Sequence, residues 1–282
     1  MMVKRKFVPG SEWLYFKIYT GIKTADIILE ESIEPLMACF KENNLILQWF
    51  FIRYNDPQPH LRLRLKLTQA ENYTEVLQKI NNALTEYINS GEISNILIDI
   101  YHREMERYGS NTIEEAETLF WKNSEFTLEC LHYSDEEKLM ISLFYIDELL
   151  HQLNLPIQEK LKWIKDFNEV FKKEFKADKK LNSQLDKKYR EFNPLFLDFI
   201  QSEEFSEERS TIISTISESA SVLQTILNHH ESQSLESSLQ TFFQSIFHMN
   251  INRMFISNQR LFEMIVYDYL FRYYKTVAFR AL

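Results

Sequence analysis

The sequence predicts an α+β protein in which a sheet-forming N-terminal part precedes a larger helical part. Three observations carry this. Short runs of alternating apolar and polar residues recur up to about residue 101 and then stop. From Thr112 onward, apolar residues recur at helical spacing instead. Hydrophobic residues make up 45% of the 282, enough for a packed core and too many for a disordered chain.

Residues 13–20 (Trp-Leu-Tyr-Phe-Lys-Ile-Tyr-Thr) alternate with period two and are rich in aromatics, so they read as a strand. A helix follows over 25–43, ending at Asn43-Asn44, and a second strand over 45–54. Asn55-Asp56-Pro57-Gln58-Pro59 supplies turn chemistry. The next strand, 61–67 (Leu-Arg-Leu-Arg-Leu-Lys-Leu), is the cleanest alternation in the chain. A helix over 71–89 is stopped at Ser90-Gly91, and 95–101 reads as the last strand. The order is βαββαβ, which predicts a ferredoxin-like sheet layer over 11–109. Residues 110–282 are the helical part, with Pro156, Asn193-Pro194 and His229–Ser234 as the main breaks. The Ser- and Glu-rich stretch 202–221 keeps Ile212, Ile213, Ile216 and Val222 at near-helical spacing and reads as one helix with a polar face. No Gly/Pro-rich linker separates the parts, so 1–282 reads as a single domain.

Composition excludes several function classes. The only glycines, Gly10, Gly21, Gly91 and Gly109, are isolated, so neither a dinucleotide-binding turn nor a phosphate-cradling loop can form. Cys39 and Cys130 stand far apart, which removes a thiolate metal site and a disulfide framework. The longest apolar stretch, Leu45 to Ile52, is broken by Gln48 and too short to span a bilayer, and no export signal opens the chain; a cytoplasmic location without membrane attachment is expected. The net charge is −9. Residues 1–108 hold 13 basic and 14 acidic side chains, so the deficit lies in the helical part. An acidic chain is a poor general binder of nucleic acid, and none is expected as a direct partner.

Side chains alternate across a strand, so Leu61, Leu63, Leu65 and Leu67 should meet the two helices. Arg62, Arg64 and Lys66 then share the other face with Trp13, Tyr15, Lys17 and Tyr19. Two readings of that face stand: a solvated cationic surface, or, given its aromatic lining, a face against which the helical part packs; a local basic patch in this half could still receive an anion. An RNA-recognition sheet is disfavoured, because 61–67 has neither a glycine nor an aromatic. In Tyr101–Gly109 the two arginines and two glutamates either pair on the surface, or Arg107 turns back over the sheet. Around His248 the chain is apolar enough for a buried helix, yet Thr241, Ser245, His248 and Asn252 fall on one stripe. A row of buried polar groups needs partners and suits the wall of a polar cavity. His229-His230-Glu231 and the Asn72-Tyr73-Thr74 sequon read as surface features.

Four segments together resemble a known family: Trp13–Tyr19, Phe50 through the Arg53-Tyr54-Asn55-Asp56-Pro57 turn into His60-Leu61-Arg62-Leu63-Arg64, Tyr101–Gly109, and Ser245–Phe255. In order, from about residue 11 to 279, they are similar to the C-terminal domain of class I lantibiotic dehydratases, also found free-standing as the thiopeptide-type bacteriocin biosynthesis domain. The resemblance implies a lyase. In that family another domain transfers glutamate from glutamyl-tRNA onto Ser or Thr of a precursor peptide, and this domain eliminates it to leave dehydroalanine or dehydrobutyrine. Nothing in the chain resembles the glutamylation domain, so the elimination half of a split dehydratase is expected, with a precursor peptide as substrate and a separate glutamylating subunit as partner. By motif position, Arg64, Arg107 and His248 match the family's catalytic residues, and Arg62 a second arginine of the same strand that assists binding. Ser110 stands where the family pattern has a second glycine.

The chemistry fits these residue types. Hydroxide leaves poorly, water having a pKa of ~15.7, whereas a carboxylate's parent acid has a pKa of ~4.3. The glutamyl ester is therefore eliminable once the weakly acidic Cα proton is removed. Arginine suits the glutamyl carboxylate and the developing negative charge, being always ionised and able to donate two parallel hydrogen bonds. His248, with a reference pKa of ~6.5, suits proton transfer, either from Cα or to the leaving glutamate. No metal or organic cofactor is needed. Two further readings remain: a pyridine-forming cycloaddition enzyme of thiopeptide type, which is not expected to keep the full Arg/His set, and a non-catalytic subunit that binds the precursor or the glutamylating partner.

Overall fold

The computed structural model describes residues 3–280. In chain order the elements are β1 Lys6–Phe7, β2 Trp13–Thr20, α1 Thr24–Ile28, α2 Glu34–Glu42, β3 Ile46–Tyr54, β4 His60–Leu67, α3 Tyr73–Ser90, β5 Ile93–Ile98, β6 Tyr101–His102, α4 Met105–Tyr108 and α5 Ile113–Glu129. Then come α6 Asp135–Gln152, α7 Ile157–Glu174, α8 Lys179–Gln201, α9 Ser206–Ser217, α10 Ala220–Glu231, α11 Leu239–Met254 and α12 Gln259–Arg280. These form two compact units. One holds the chain through His132 together with His229–Ser257; the other holds Tyr133–Asn228 and the chain from Asn258 onward. Among the described residues, no helix is long and apolar enough to cross a membrane.

The first unit is built on a four-stranded antiparallel sheet of order β3-β4-β2-β5. The alternation of β4 sets its two faces. Leu61, Leu63, Leu65 and Leu67 join Leu14, Phe16 and Ile18 of β2 and Phe51 of β3 in one core. That core is closed by Ile28, Met37 and Phe40 and by Val76, Ile80 and Leu84 of α3, the last three at helical i, i+4 spacing. Helix α3 ends at Gly91, whose φ of +82° lies in the left-handed region that favours glycine. The turn 55–59 contains a cis Asp56–Pro57 peptide.

β3 is an edge strand, and side chains rather than another strand satisfy its outer backbone. Ser124 Oγ of α5 accepts from Phe51 N. Asn252 of α11 accepts from Arg53 N and donates to its carbonyl, both at 2.9 Å, as a neighbouring strand would. Arg253, fully buried, donates to the Phe51 carbonyl at 2.7 Å and to Asn123 Oδ1 at 3.1 Å. An edge covered in this way offers no template for pairing with another chain.

In the second unit, α7 and α12 meet through Phe167 and Phe171 against Tyr267. The fully buried Asp268 receives Lys172 at 2.6 Å and Arg272 at 2.7 Å, so its charge is paired from both sides.

Several expectations are corrected. The last strand stops at Ile98: Asp99 Oδ1 accepts from the Ile100 amide, and Tyr101 pairs instead with Phe7 in a separate two-stranded ribbon. The strand β1 carried no period long enough to read. The helix over 25–43 is interrupted by a π turn at Leu29–Ile33. Asn193-Pro194 does not break α8, because Phe192, Phe196 and Phe199 bury on one side across the proline and outweigh one lost backbone hydrogen bond. The stretch 202–221 is not one helix: a 3-10 turn at Glu203–Phe205 precedes α9, and the chain breaks at Glu218-Ser219 before α10.

Candidate functional site

The second face of the sheet is buried too, and its register explains why. Directly opposite Arg64 stand Tyr15 of β2 and Phe50 of β3, one on each side. Tyr101 of β6 adds a third ring. The Arg64 guanidinium carbon lies 4.4 Å from the Tyr15 centroid, 5.1 Å from Tyr101 and 5.3 Å from Phe50. Aromatic faces stabilise a cation but offer no acceptor in the plane of its N–H groups. Arg64 is only 8% exposed, and its Nε and Nη1 have no hydrogen-bond partner among the described residues. Of the two readings of this face, the solvated surface is therefore corrected for Trp13, Tyr15 and Arg64, which are buried, while Lys17, Arg62 and Lys66 are half-buried.

Arg64 lines a cleft with Phe50, Ile52, Tyr101, His102, Glu104, Tyr108, Ile113, Phe120 and Met249. The Tyr108 hydroxyl is likewise buried without an acceptor, and burial, more than the nearby Glu104 charge, raises its pKa. Buried donors from Arg64 and Tyr108 with no acceptor among the described residues therefore line one cleft, and Arg107 lies close enough to the Tyr108 hydroxyl to hold its pKa down slightly. Each such donor costs about 1–3 kcal/mol unless a ligand accepts from it.

Behind the cage lies a buried ion pair. Arg103 donates from Nε and Nη2 to the two oxygens of Glu117, at 2.8 and 2.7 Å. Tyr101 Oη donates to the same carboxylate at 2.7 Å. Glu117 is fully buried, so the ring stacked on Arg64 is fixed by a carboxylate whose own charge is matched by Arg103. Surface pairing within Tyr101–Gly109 thus fails for Arg103, which reaches α5 instead. The signal was absent because Arg103 and Glu117 lie on different elements and neither pattern points to the other.

The other expected residues sit as follows. Arg62 is half-buried; its Nε donates to His60 Nε2 at 3.1 Å and its guanidinium stacks on Tyr54, 3.4 Å from the centroid. Arg107 of α4 is 46% exposed and pairs with Glu104 at 3.3 Å. His248 of α11 is half-buried. None of these three lines the Arg64 cleft, but Tyr108 and Met249, their neighbours in sequence, do. Gly109 turns the chain after Arg107 at φ +76°, and a Cβ there would meet Thr112 Oγ1 at 2.9 Å. The next residue, Ser110, donates to Glu236. Three members of the polar stripe on α11 are engaged locally or at the sheet edge: Thr241 bonds the Ser238 cap, Ser245 bonds the Thr241 carbonyl of its own helix, and Asn252 binds the edge of β3.

A buried arginine, caged by three aromatic rings and with no partner for Nε and Nη1 among the described residues, thus lines a cleft over the antiparallel sheet of an α+β fold. The chain belongs to the family described as the C-terminal part of the lantibiotic biosynthesis dehydratases, which it matches over residues 13–274. It is 26% identical over 196 residues to the subtilin biosynthesis protein SpaB of Bacillus subtilis, covering 67% of this chain and 19% of that one. The chain thus spans about a fifth of that relative's length. Its fold is similar to that of the tRNA-dependent lantibiotic dehydratase MibB from Microbispora sp. 107891, with a TM-score of 0.72 at 18% identity, over 97% of this chain and 29% of MibB. It is also similar to the pyridine synthase TbtD from thiomuracin biosynthesis, with a TM-score of 0.62 at 11% identity, over 96% of this chain and all of TbtD.

Proposed function

We propose that the chain eliminates glutamate from glutamylated Ser or Thr of a ribosomal precursor peptide, leaving dehydroalanine or dehydrobutyrine. The observation that carries this reading is Arg64, a buried cation whose Nε and Nη1 have no partner among the described residues. An acceptor-only group with several lone pairs satisfies both at once, and a carboxylate is such a group. In this reading a base removes the Cα proton, the Cβ–O bond breaks, and the bonding pair departs with the glutamyl carboxylate. Arg64 and Arg107 stabilise the negative charge and Arg62 assists binding. His248 transfers the proton. Another domain or chain supplies the glutamylated peptide. We also read residues 11–109 as a ferredoxin-like layer; the order β3-β4-β2-β5 and the two helical crossovers support it.

The test is mass spectrometry of a synthetic peptide carrying a glutamylated serine, with and without the protein and, in a further arm, with the glutamylating partner. Loss of glutamate with appearance of dehydroalanine is expected. Hydrolysis back to serine, or no change even with the partner, would overturn the reading. A second reading, pyridine-forming cycloaddition, is favoured by one observation: the fold of this chain spans the whole of TbtD. Under it, a peptide already carrying dehydroalanines is the substrate, and the protein removes no glutamate from a glutamylated serine.

A further inference from the structure

We infer that His60 is a positioning residue: its neutral ring holds the Arg62 guanidinium through Nε2, presenting the remaining N–H groups of Arg62 to a carboxylate ligand. The inference rests on the reading above for what that ligand is. His60 opens β4, is 3% exposed, and its ring lies between Tyr19, at 4.6 Å between centroids, and Tyr54, at 5.4 Å. Its two nitrogens face groups with fixed roles. Nδ1 is 2.8 Å from the Gln58 carbonyl oxygen, which only accepts, so Nδ1 carries the hydrogen. Nε2 is 3.1 Å from Arg62 Nε, which only donates, so Nε2 must present its lone pair. Both bonds are made only by the neutral Nδ1–H tautomer. With Nε held by His60 and the guanidinium stacked on Tyr54, the two terminal nitrogens of Arg62, for which no hydrogen bond to another described residue is seen, can face a ligand.

Protonating His60 would set an N–H against the N–H of Arg62 and place like charges side by side. Every charged group around the ring bears on that step. Arg62 on the same strand and Lys17 on β2 oppose the added proton, and Asp56 in the preceding turn favours it. Tyr19 and Tyr54 flank the ring. Burial is the largest influence and pushes the His60 pKa below the ordinary value, more than the Gln58 contact raises it.

Two measurements on the full chain test this. In long-range nitrogen–proton NMR of the labelled protein, His60 should show the Nδ1–H tautomer and titrate below pH 6.5, and Arg62→Leu should move that titration upward. The opposite tautomer, or a titration indifferent to Arg62→Leu, would sink the inference, and neither outcome depends on what the protein catalyses. In kinetics with the glutamylated-serine peptide, His60→Phe keeps the ring but loses the acceptor. KM should rise about tenfold, the size of one charge-assisted hydrogen bond. The value of kcat should change less than twofold, and the rise of KM on acidification should disappear. An unchanged KM, or a loss confined to kcat, would overturn the positioning role. A wild-type protein that eliminates no glutamate would overturn the functional reading alone, since the NMR result stands by itself.

Discussion

Arg64 is held in a way that ordinary stability does not favour. A guanidinium at 8% exposure, with two nitrogens unbonded, loses hydration that three aromatic rings only partly replace. Arg64→Leu should therefore leave stability unchanged or raise it by ~1–2 kcal/mol, a Tm shift of roughly 2–8 °C upward by calorimetry. The same change should reduce glutamate elimination by about 10²–10³-fold, the usual effect of losing one preorganised charge. A Tm that falls along with the activity would mean that Arg64 is structural. His60 gives a second signature at this scale. Its folded pKa lies below the unfolded value of about 6.5, so the unfolded chain takes up its proton first on acidification. Its stabilising contribution is full above pH 6.5 and declines as pH falls through that value. Urea unfolding at pH 7.5 and 5.5 should show a larger loss for the wild type than for His60→Phe. At this scale much was legible. The alternation of 61–67 put Arg62 and Arg64 opposite the leucines and grouped them with Tyr15, and the family motifs singled out the same arginines. Phe50 and Tyr101 in the cage were not legible, because register and a crossing ribbon place them, not spacing.

At the scale of elements, the site depends on two joints made by side chains. The first is Glu117 of α5, which fixes Tyr101 of β6 and neutralises Arg103. Glu117→Ala leaves the buried Arg103 with only the exposed Glu114, at 3.2 Å, as its anionic partner and should cost ~3 kcal/mol in chemical denaturation. The second is Asn252, which closes the edge of β3 at Arg53. Asn252→Ala strands one backbone N–H and one carbonyl and should cost ~1–3 kcal/mol, with faster amide exchange at Arg53 than elsewhere in β3. Full protection at that amide would show that water replaces the side chain without penalty. Neither joint could be read from local pattern. Asn252 was visible as one of four polar positions on a helical stripe, but its own partner, Arg53, lies some 200 positions away. Strands and helices were legible where periodicity ran long, as in 13–20, 61–67 and 71–89. Periodicity failed where tertiary contacts overrode it, at Pro194 and at the stop after Ile98.

At the scale of the molecule, the compact units do not follow the chain. Periodicity changes from strand to helix near residue 109, whereas the first unit runs on to His132 and resumes at His229. The backbone therefore passes from one unit to the other three times. A fragment ending at His132 contains all six strands of the described residues and Arg62, Arg64 and Arg107, but lacks the helix that carries His248, Asn252 and Arg253. Such a fragment should have mixed helix-and-strand circular dichroism without a cooperative melt, and supplying residues 229–257 as a peptide should restore part of the cooperativity. A sharp melt for the fragment alone would show that α5 suffices to close the sheet.

The same threading sets an order of events during protein synthesis. The sheet and its arginines leave the ribosome first, yet α11, with Arg253 for the Phe51 carbonyl, arrives only after the whole of 133–228 has been made. At ~5–20 residues per second that delay is on the order of ten seconds. Throughout it, the β3 edge has Ser124 of α5 at Phe51 but lacks the Asn252 and Arg253 side chains that later satisfy Arg53 and the Phe51 carbonyl, so this is the interval in which a chaperone has most to do.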